Sequence, residues 1–225
     1  MGKRSSTKSA ERARARQVYD RLLAVYPNVG CTLKRRNPLE LLIATILAAQ
    51  CTDARVNVVT RMLFKKYRKP EDYVAAPIEE LEEAVRTCGF YRMKAKHIVG
   101  TCQQLIERHG GRVPNTIEEL TALPGVGRKT ANVVLGDCFG VQGVVVDTHC
   151  TRLSNRLGFT RHSDPLKIER DLMAVWAADR WSLFSHLMVW HGRAVCTARA
   201  PKCSACVVNG LCPFPKTREG KKIAQ

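Results

Sequence analysis

The sequence has 225 residues and a formal net charge of +17, from 37 Lys and Arg against 20 Asp and Glu. That length supports one sizeable domain or two small ones without help from disulfides. With 45% apolar and 25% charged residues, the composition excludes wholesale disorder. No stretch reaches the ~20 apolar residues of a membrane span, and such a basic soluble chain points to a polyanion, nucleic acid above all.

The most basic part comes first. Residues 1–36 hold ten Lys and Arg against Glu11 and Asp20. This stretch has no apolar core, so no secretory signal is expected. Residues 1–10 are Ser- and Lys-rich and read as a disordered arm that adds phosphate contacts. Beyond them the periodicity is helical nearly throughout. Val18, Leu22 and Val25 fall on one helical face. Pro38 opens LELLIATILAA, apolar on almost every side, which predicts a helix buried in a core. Thr52 reads as the N-cap of a helix carrying Val56, Val59 and Leu63. Pro77 precedes IEELEEAVR, whose acidic start suits a helix N-terminus. Residues 93–109 predict a helix that Gly110 and Gly111 end. Val141–Val146 alone looks strand-like and is short enough to be a connector. Asp164–Pro165 is a cap followed by a first-turn proline, and a further helix runs from about Trp181 to Val195. The fold class is all-α, with about ten helices.

Between TIEELTA and KTANVVLGDCF lies Leu123-Pro124-Gly125-Val126-Gly127-Arg128-Lys129. Two glycines one residue apart open backbone conformations that other residues resist. Such a turn presents a row of N–H groups at a helix start, a cradle for a phosphate that reads no bases. A plain tight turn is the simpler alternative. Lys129 stands in the first turn of the second helix. There the macrodipole and Arg128 both disfavour an ammonium, as a nucleophilic amine requires. A phosphate-binding lysine is the alternative. Asp147 follows the apolar Val144–Val146, where an aspartate is ordinarily an N-cap. It becomes a partner in chemistry if the chain folds back beside Lys129.

Of ten cysteines, Cys31, Cys51, Cys88, Cys102, Cys138 and Cys150 are scattered, as buried free thiols are. Cys196, Cys203, Cys206 and Cys212 instead follow C-x6-C-x2-C-x5-C in a loop-rich tail, which is metal-site spacing. Four thiolates suit zinc or an iron–sulfur cluster, and spacing alone leaves both open.

Taken together, LPGVGRKTANVVL at 123–135, VDTH at 146–149, LLIATILAAQCTD at 41–53, HGRAVC at 191–196 and the four-cysteine tail resemble the endonuclease III family of DNA glycosylases. The resemblance covers nearly all of residues 11–213. It implies a helix-hairpin-helix fold of two lobes with a DNA cleft between them. One is a six-helix barrel at 31–141 containing the hairpin 123–131. The other is a four-helix lobe made of 11–30 and 142–213, followed by a flexible tail at 214–225. It implies a [4Fe–4S] cluster on Cys196, Cys203, Cys206 and Cys212, whose charge of about −2 lowers the holo-protein's total. It carries the catalytic lysine onto Lys129 and the catalytic aspartate onto Asp147. Gly125, Val126, Gly127 and Arg128 become the DNA-binding hairpin. Gln50 matches the residue that fills the gap left by an extruded base, and Phe90 matches a wedge position more usually Leu. Asp53 and His149 match pocket-side positions. Cys51 stands where Ala is usual.

The implied activity is that of a bifunctional DNA glycosylase and AP lyase. It removes oxidised pyrimidines from duplex DNA through a lysine Schiff base and cleaves the strand by β-elimination. The partner is double-stranded DNA bearing damaged bases or abasic sites. The chain is expected to be a monomer, to meet no membrane, and to work inside the cell with the DNA. One rival reading is the related adenine or mismatch glycosylases, which lack a hairpin lysine and carry a further C-terminal domain. The other is a helix-hairpin-helix module that binds DNA without catalysis.

Overall fold

A computed structural model of the chain describes residues 2–224, with side chains from Ser9 onward. It is all-helical. Among the described residues there are twelve α-helices and four short 3-10 turns. The chain divides into two compact units. One is made of Met1–Gly30 with Gln142–Gln225, and the other of Cys31–Val141. Among the described residues no helix is long and apolar enough to cross a membrane.

The Cys31–Val141 unit contains α2 (Pro38–Leu47), α3 (Asp53–Lys66), α4 (Pro70–Ala75), α5 (Ile78–Val85), α6 (Tyr91–His109), α7 (Ile117–Thr121) and α8 (Arg128–Phe139). Its centre is α2. Asn37 caps that helix, its side chain accepting from Glu40 N, and Pro38 sits in the first turn. Leu41, Leu42, Ile43, Ala44 and Leu47 are wholly buried. Their helix shows no polar face because α3, α6 and α8 pack around it. Glu40 is buried among them, and Arg36 answers it with Nε at 2.9 Å and Nη2 at 2.6 Å from Oε1. Thr52 caps α3 through Arg55 N. Where the resemblance implies six helices, the unit has seven. The two shortest, α4 and α7, have six and five residues, too few for a helical period to show in sequence.

The other unit contains α1 (Gly2–Val25), α9 (Thr148–Arg156), α10 (Pro165–Val175), α11 (Trp181–Ala194) and α12 (Arg218–Ile223). Ala15, Val18, Tyr19 and Leu22 form the buried stripe of α1. Trp176 stacks on Phe184 with centroids 3.9 Å apart and meets Phe159 edge-on at 4.5 Å. Val141–Val146 joins no sheet. It is held instead by α11, with Val145 N donating to Ser185 Oγ at 2.9 Å. The disordered arm expected over 1–10 falls mostly outside the described side chains, and its last residues, Ser9 and Ala10, lie in α1.

Over the described residues of the stretch expected as a flexible tail, 214–225, the chain is packed and partly helical. Phe214 is buried and its ring lies 4.4 Å beneath the Arg156 guanidinium. Thr217 then caps α12 through Gly220 N. One buried aromatic and one cap are enough to order the segment, and neither forms a period to be read.

Candidate functional site

The hairpin begins at Thr116, which caps α7 through Glu119 N and donates its hydroxyl to Glu119 Oε2 at 2.6 Å. The turn closes with Val126 N donating to Leu123 O at 3.1 Å. Leu123 and Val126 are buried beneath it. Gly125 has φ +74, and a Cβ there would stand 2.6 Å from His97 Nδ1. The glycine is therefore required twice, by conformation and by space. Below the turn, Thr101 Oγ1 donates to Pro124 O at 2.8 Å. Helix α6 thus supplies a floor of His97 and Thr101 that sequence reasoning missed. Gly127 is the extended N-cap of α8 and offers no side-chain cap. The start of α8 carries exposed Arg128 and Lys129, at the helix end that favours an anion.

Three other predicted residues belong to the same unit. Gln50, with φ +54, and Phe90, with φ +47, are the non-glycine residues at positive φ among the described residues. Both are exposed, Phe90 to 63%. A side chain held in the left-handed region costs about 1–2 kcal/mol, and an exposed aromatic recovers nothing by burial. Strain of this kind collects where the side chain serves a purpose outside the fold. Lys94 joins the two turns from inside. It is buried, and its Nζ donates to Leu47 O and to Cys88 O, each at 2.8 Å. Burial pushes its pKa down. Asp53 opens α3 and accepts from Thr32 Oγ1 at 2.5 Å.

Asp147 lies in the other unit, as the N-cap of α9. Its Oδ1 accepts from Cys150 N at 2.7 Å, so the ordinary capping reading holds, and the carboxylate has a second oxygen beyond the one that caps. His149 is half-buried and meets Arg152 Nη2 at 3.0 Å through Nδ1. Burial pushes the imidazole below its usual range, with Asp147 opposing and Arg152 and Arg193 assisting. Gly192 packs against this ring, where a Cβ would come within 2.6 Å of Nδ1.

Cys196, Cys203, Cys206 and Cys212 line one pocket, roofed by Leu153, Val208 and Phe214. Burial raises the Cys203, Cys206 and Cys212 thiols, Cys212 to about 11, and the neighbouring sulfurs raise them further. Such a set holds its thiolates only against a cationic core, which is what an iron–sulfur cluster supplies. No three metal-ligating side chains among the described residues converge on a single ion. Four thiols gathered on one pocket are a donor set that fits an iron–sulfur cluster.

Two arginines a turn apart on α9 hold the loop. Arg152 donates to Gly192 O and Cys196 O, each at 3.0 Å. Arg156 donates to Thr197 O at 2.7 Å and Ala198 O at 2.8 Å, and reaches Cys196 Sγ at 3.4 Å. Buried His191 stands between Tyr26 OH at 3.2 Å and Cys206 Sγ at 3.3 Å. Sequence reasoning missed these arginines, although their i, i+4 spacing on the helix after VDTH was a readable sign.

Residues 43–178 match the HhH-GPD superfamily base excision DNA repair protein family, and residues 196–212 match the iron–sulfur binding domain of endonuclease III. The chain is 48% identical to the endonuclease III of Synechocystis sp., covering 91% of this chain and 94% of that protein. It is 46% identical to the endonuclease III of Bacillus subtilis, covering 90% and 91%. A solved structure of a trapped endonuclease III–DNA covalent intermediate, an estranged-adenine complex, superposes with a TM-score of 0.87. It shares 48% identity and covers 94% of this chain and 97% of that one.

Proposed function

The chain belongs to the endonuclease III family, and we propose that it performs that family's bifunctional reaction on duplex DNA through Lys129. It is a base excision repair glycosylase with AP lyase activity and carries a [4Fe–4S] cluster. One observation carries the residue assignment: Lys129 stands exposed in the first turn of an uncapped helix, on a hairpin pinned to α6.

The positive N-terminal end of α8 takes a backbone phosphate and sets the register of the duplex. A damaged nucleotide leaves the stack, most cheaply where damage has already weakened it. Gln50 takes the vacated space and Phe90 wedges the neighbouring step, each from its strained turn. The Lys129 amine attacks C1′, and the base departs with the bonding electrons and takes up a proton. Opening of the sugar gives an imine between Lys129 Nζ and C1′. Loss of a C2′ proton then expels the 3′ phosphate, and water releases Lys129. Asp147 stabilises the positive character that the sugar develops. His149 and Asp53 border the flipped base.

The cluster, when bound, supplies four sulfur bonds that fix the loop bearing Arg199 and Lys202. This chain holds it with Cys196, Cys203, Cys206 and Cys212. The substrates are oxidised pyrimidines in duplex DNA and abasic sites, a reading supported by the likeness to the endonuclease III relatives over most of the chain. It is tested with duplexes carrying one oxidised pyrimidine, one abasic site or no lesion. Base release and 3′ cleavage are expected on the first, cleavage alone on the second and neither on the third. Base release without cleavage refutes the bifunctional assignment.

A further inference from the structure

The turns that carry Gln50 and Phe90 meet at a pair of thiols. Cys51 follows Gln50 and is half-buried. Cys88 ends the 3-10 turn Arg86–Cys88, two residues before Phe90, and is 2% exposed. Both thiols are free, Cys51 packs against the core that contains Cys88, and the nearby Cys51 sulfur helps keep the Cys88 thiol protonated. The Lys94 ammonium is anchored on the Cys88 carbonyl at 2.8 Å and on Leu47, so a buried cation faces this junction. The four cluster cysteines belong to the other unit.

We propose that Cys51 and Cys88 are a reversible disulfide site, oxidised by low-molecular-weight disulfides such as oxidised glutathione, that ties the Gln50 turn to the Phe90 turn. Accessibility gives the order of steps. Half-exposed Cys51 loses its proton and attacks one sulfur of the oxidant, forming a mixed disulfide and releasing one glutathione thiolate. Cys88 then loses its proton and attacks the Cys51 sulfur, forming the protein bridge and releasing the second glutathione. Two protein thiols are oxidised, one disulfide is reduced, and both protons leave with the glutathiones.

Burial holds the Cys88 thiol up at about 11, while Lys94 and Arg55 favour its thiolate. Cys88 therefore suits the second attack, where contact with its target replaces encounter in solution. A disulfide holds its sulfurs about 2 Å apart, closer than two free thiols stand. Bridging thus draws together two turns that are already left-handed. A bridge made under such constraint is the kind that reductants reopen.

Its effect on repair rests on the reading of Gln50 and Phe90 as side chains that enter the duplex. A shift of about 1 Å at a positioning element lowers rates by a large factor, so oxidation is expected to slow excision about tenfold or more.

The test uses the reduced holoenzyme, exposed to oxidised glutathione while the cluster's visible absorption is followed. With that absorption intact, peptide mapping is expected to find a Cys51–Cys88 link. Excision on a duplex bearing one oxidised pyrimidine is expected to fall as above and to recover with dithiothreitol. Cys51→Ala and Cys88→Ala are each expected to abolish both the link and the response. Glutathione left on Cys51 without a bridge, or a bridge between other cysteines, overturns the proposal. A link with undiminished excision overturns its effect on repair if Gln50→Ala slows the reduced enzyme. If Gln50→Ala also changes nothing, the reading of Gln50 is overturned and the disulfide site stands.

Discussion

Gly125→Ala measures how tightly the hairpin is built. The new residue would keep φ at +74, which costs an L side chain about 1–2 kcal/mol. Its Cβ would lie 2.6, 2.8 and 2.9 Å from His97 Nδ1, Cγ and Cβ, distances that real contacts do not show. Displacing that ring adds about 1–3 kcal/mol of overpacking. Together these give roughly 2–5 kcal/mol, or about 10 °C in melting temperature for a chain of this size. Gly127→Ala is the matched control. Its φ is −89 and nothing lies within 4 Å of its Cβ, so it costs no more than about 1 kcal/mol, as a lost N-cap preference does. Differential scanning fluorimetry reads stability, and duplex affinity at two salt concentrations reads the hairpin. Gly125→Ala is expected to weaken binding and to lower the salt slope by about one phosphate contact. His97→Ala removes two of the three close contacts and leaves its own Cβ at 2.9 Å. In the double variant it should return about 1 kcal/mol, not the whole loss. Equal melting temperatures for Gly125→Ala and Gly127→Ala, or no recovery with His97→Ala, would refute the reasoning.

Other substitutions separate structural from chemical roles. Asp147→Asn keeps an acceptor for Cys150 N and should hold its melting temperature while base excision falls sharply. Asp147→Ala also loses the cap and should melt earlier by about 1 kcal/mol, and calorimetry beside an excision assay distinguishes the two. Gln50→Gly and Phe90→Gly relieve left-handed backbone and should each leave stability unchanged or raise it by up to about 1 kcal/mol, while excision on damaged duplex declines. Arg156→Met keeps bulk over Phe214 but removes the donors to Thr197 and Ala198. Its cluster should bleach faster under a chelator than that of the parent, as followed by visible absorption.

What the sequence disclosed and what it hid divide along a physical line. Local chemistry was legible. Pro38, Thr52 and Asp164–Pro165 start helices because a side-chain acceptor or a fixed φ acts within a few residues. The hairpin was legible because its glycines answer to backbone geometry. The cysteine spacing was legible as a metal site, and resemblance was needed to choose the cluster. Contacts distant in sequence were hidden. His97 under Gly125, Lys94 between Leu47 and Cys88, and the Cys51–Cys88 contact each join separate helices, and no period records them. The left-handed turns at Gln50 and Phe90 were hidden as well, since neither residue type announces positive φ. The ordered segment at Phe214–Ile223 rests on one ring under one guanidinium.

The central claim is that Lys129 is the nucleophile. Borohydride reduces an imine to a stable amine, so it should trap the protein covalently on duplex DNA bearing an abasic site or one oxidised pyrimidine. The crosslinked peptide should contain Lys129, and Lys129→Gln should abolish trapping while retaining duplex binding. A Lys129→Gln protein that still crosslinks, or a parent protein that cleaves the strand without being trapped, would contradict the account.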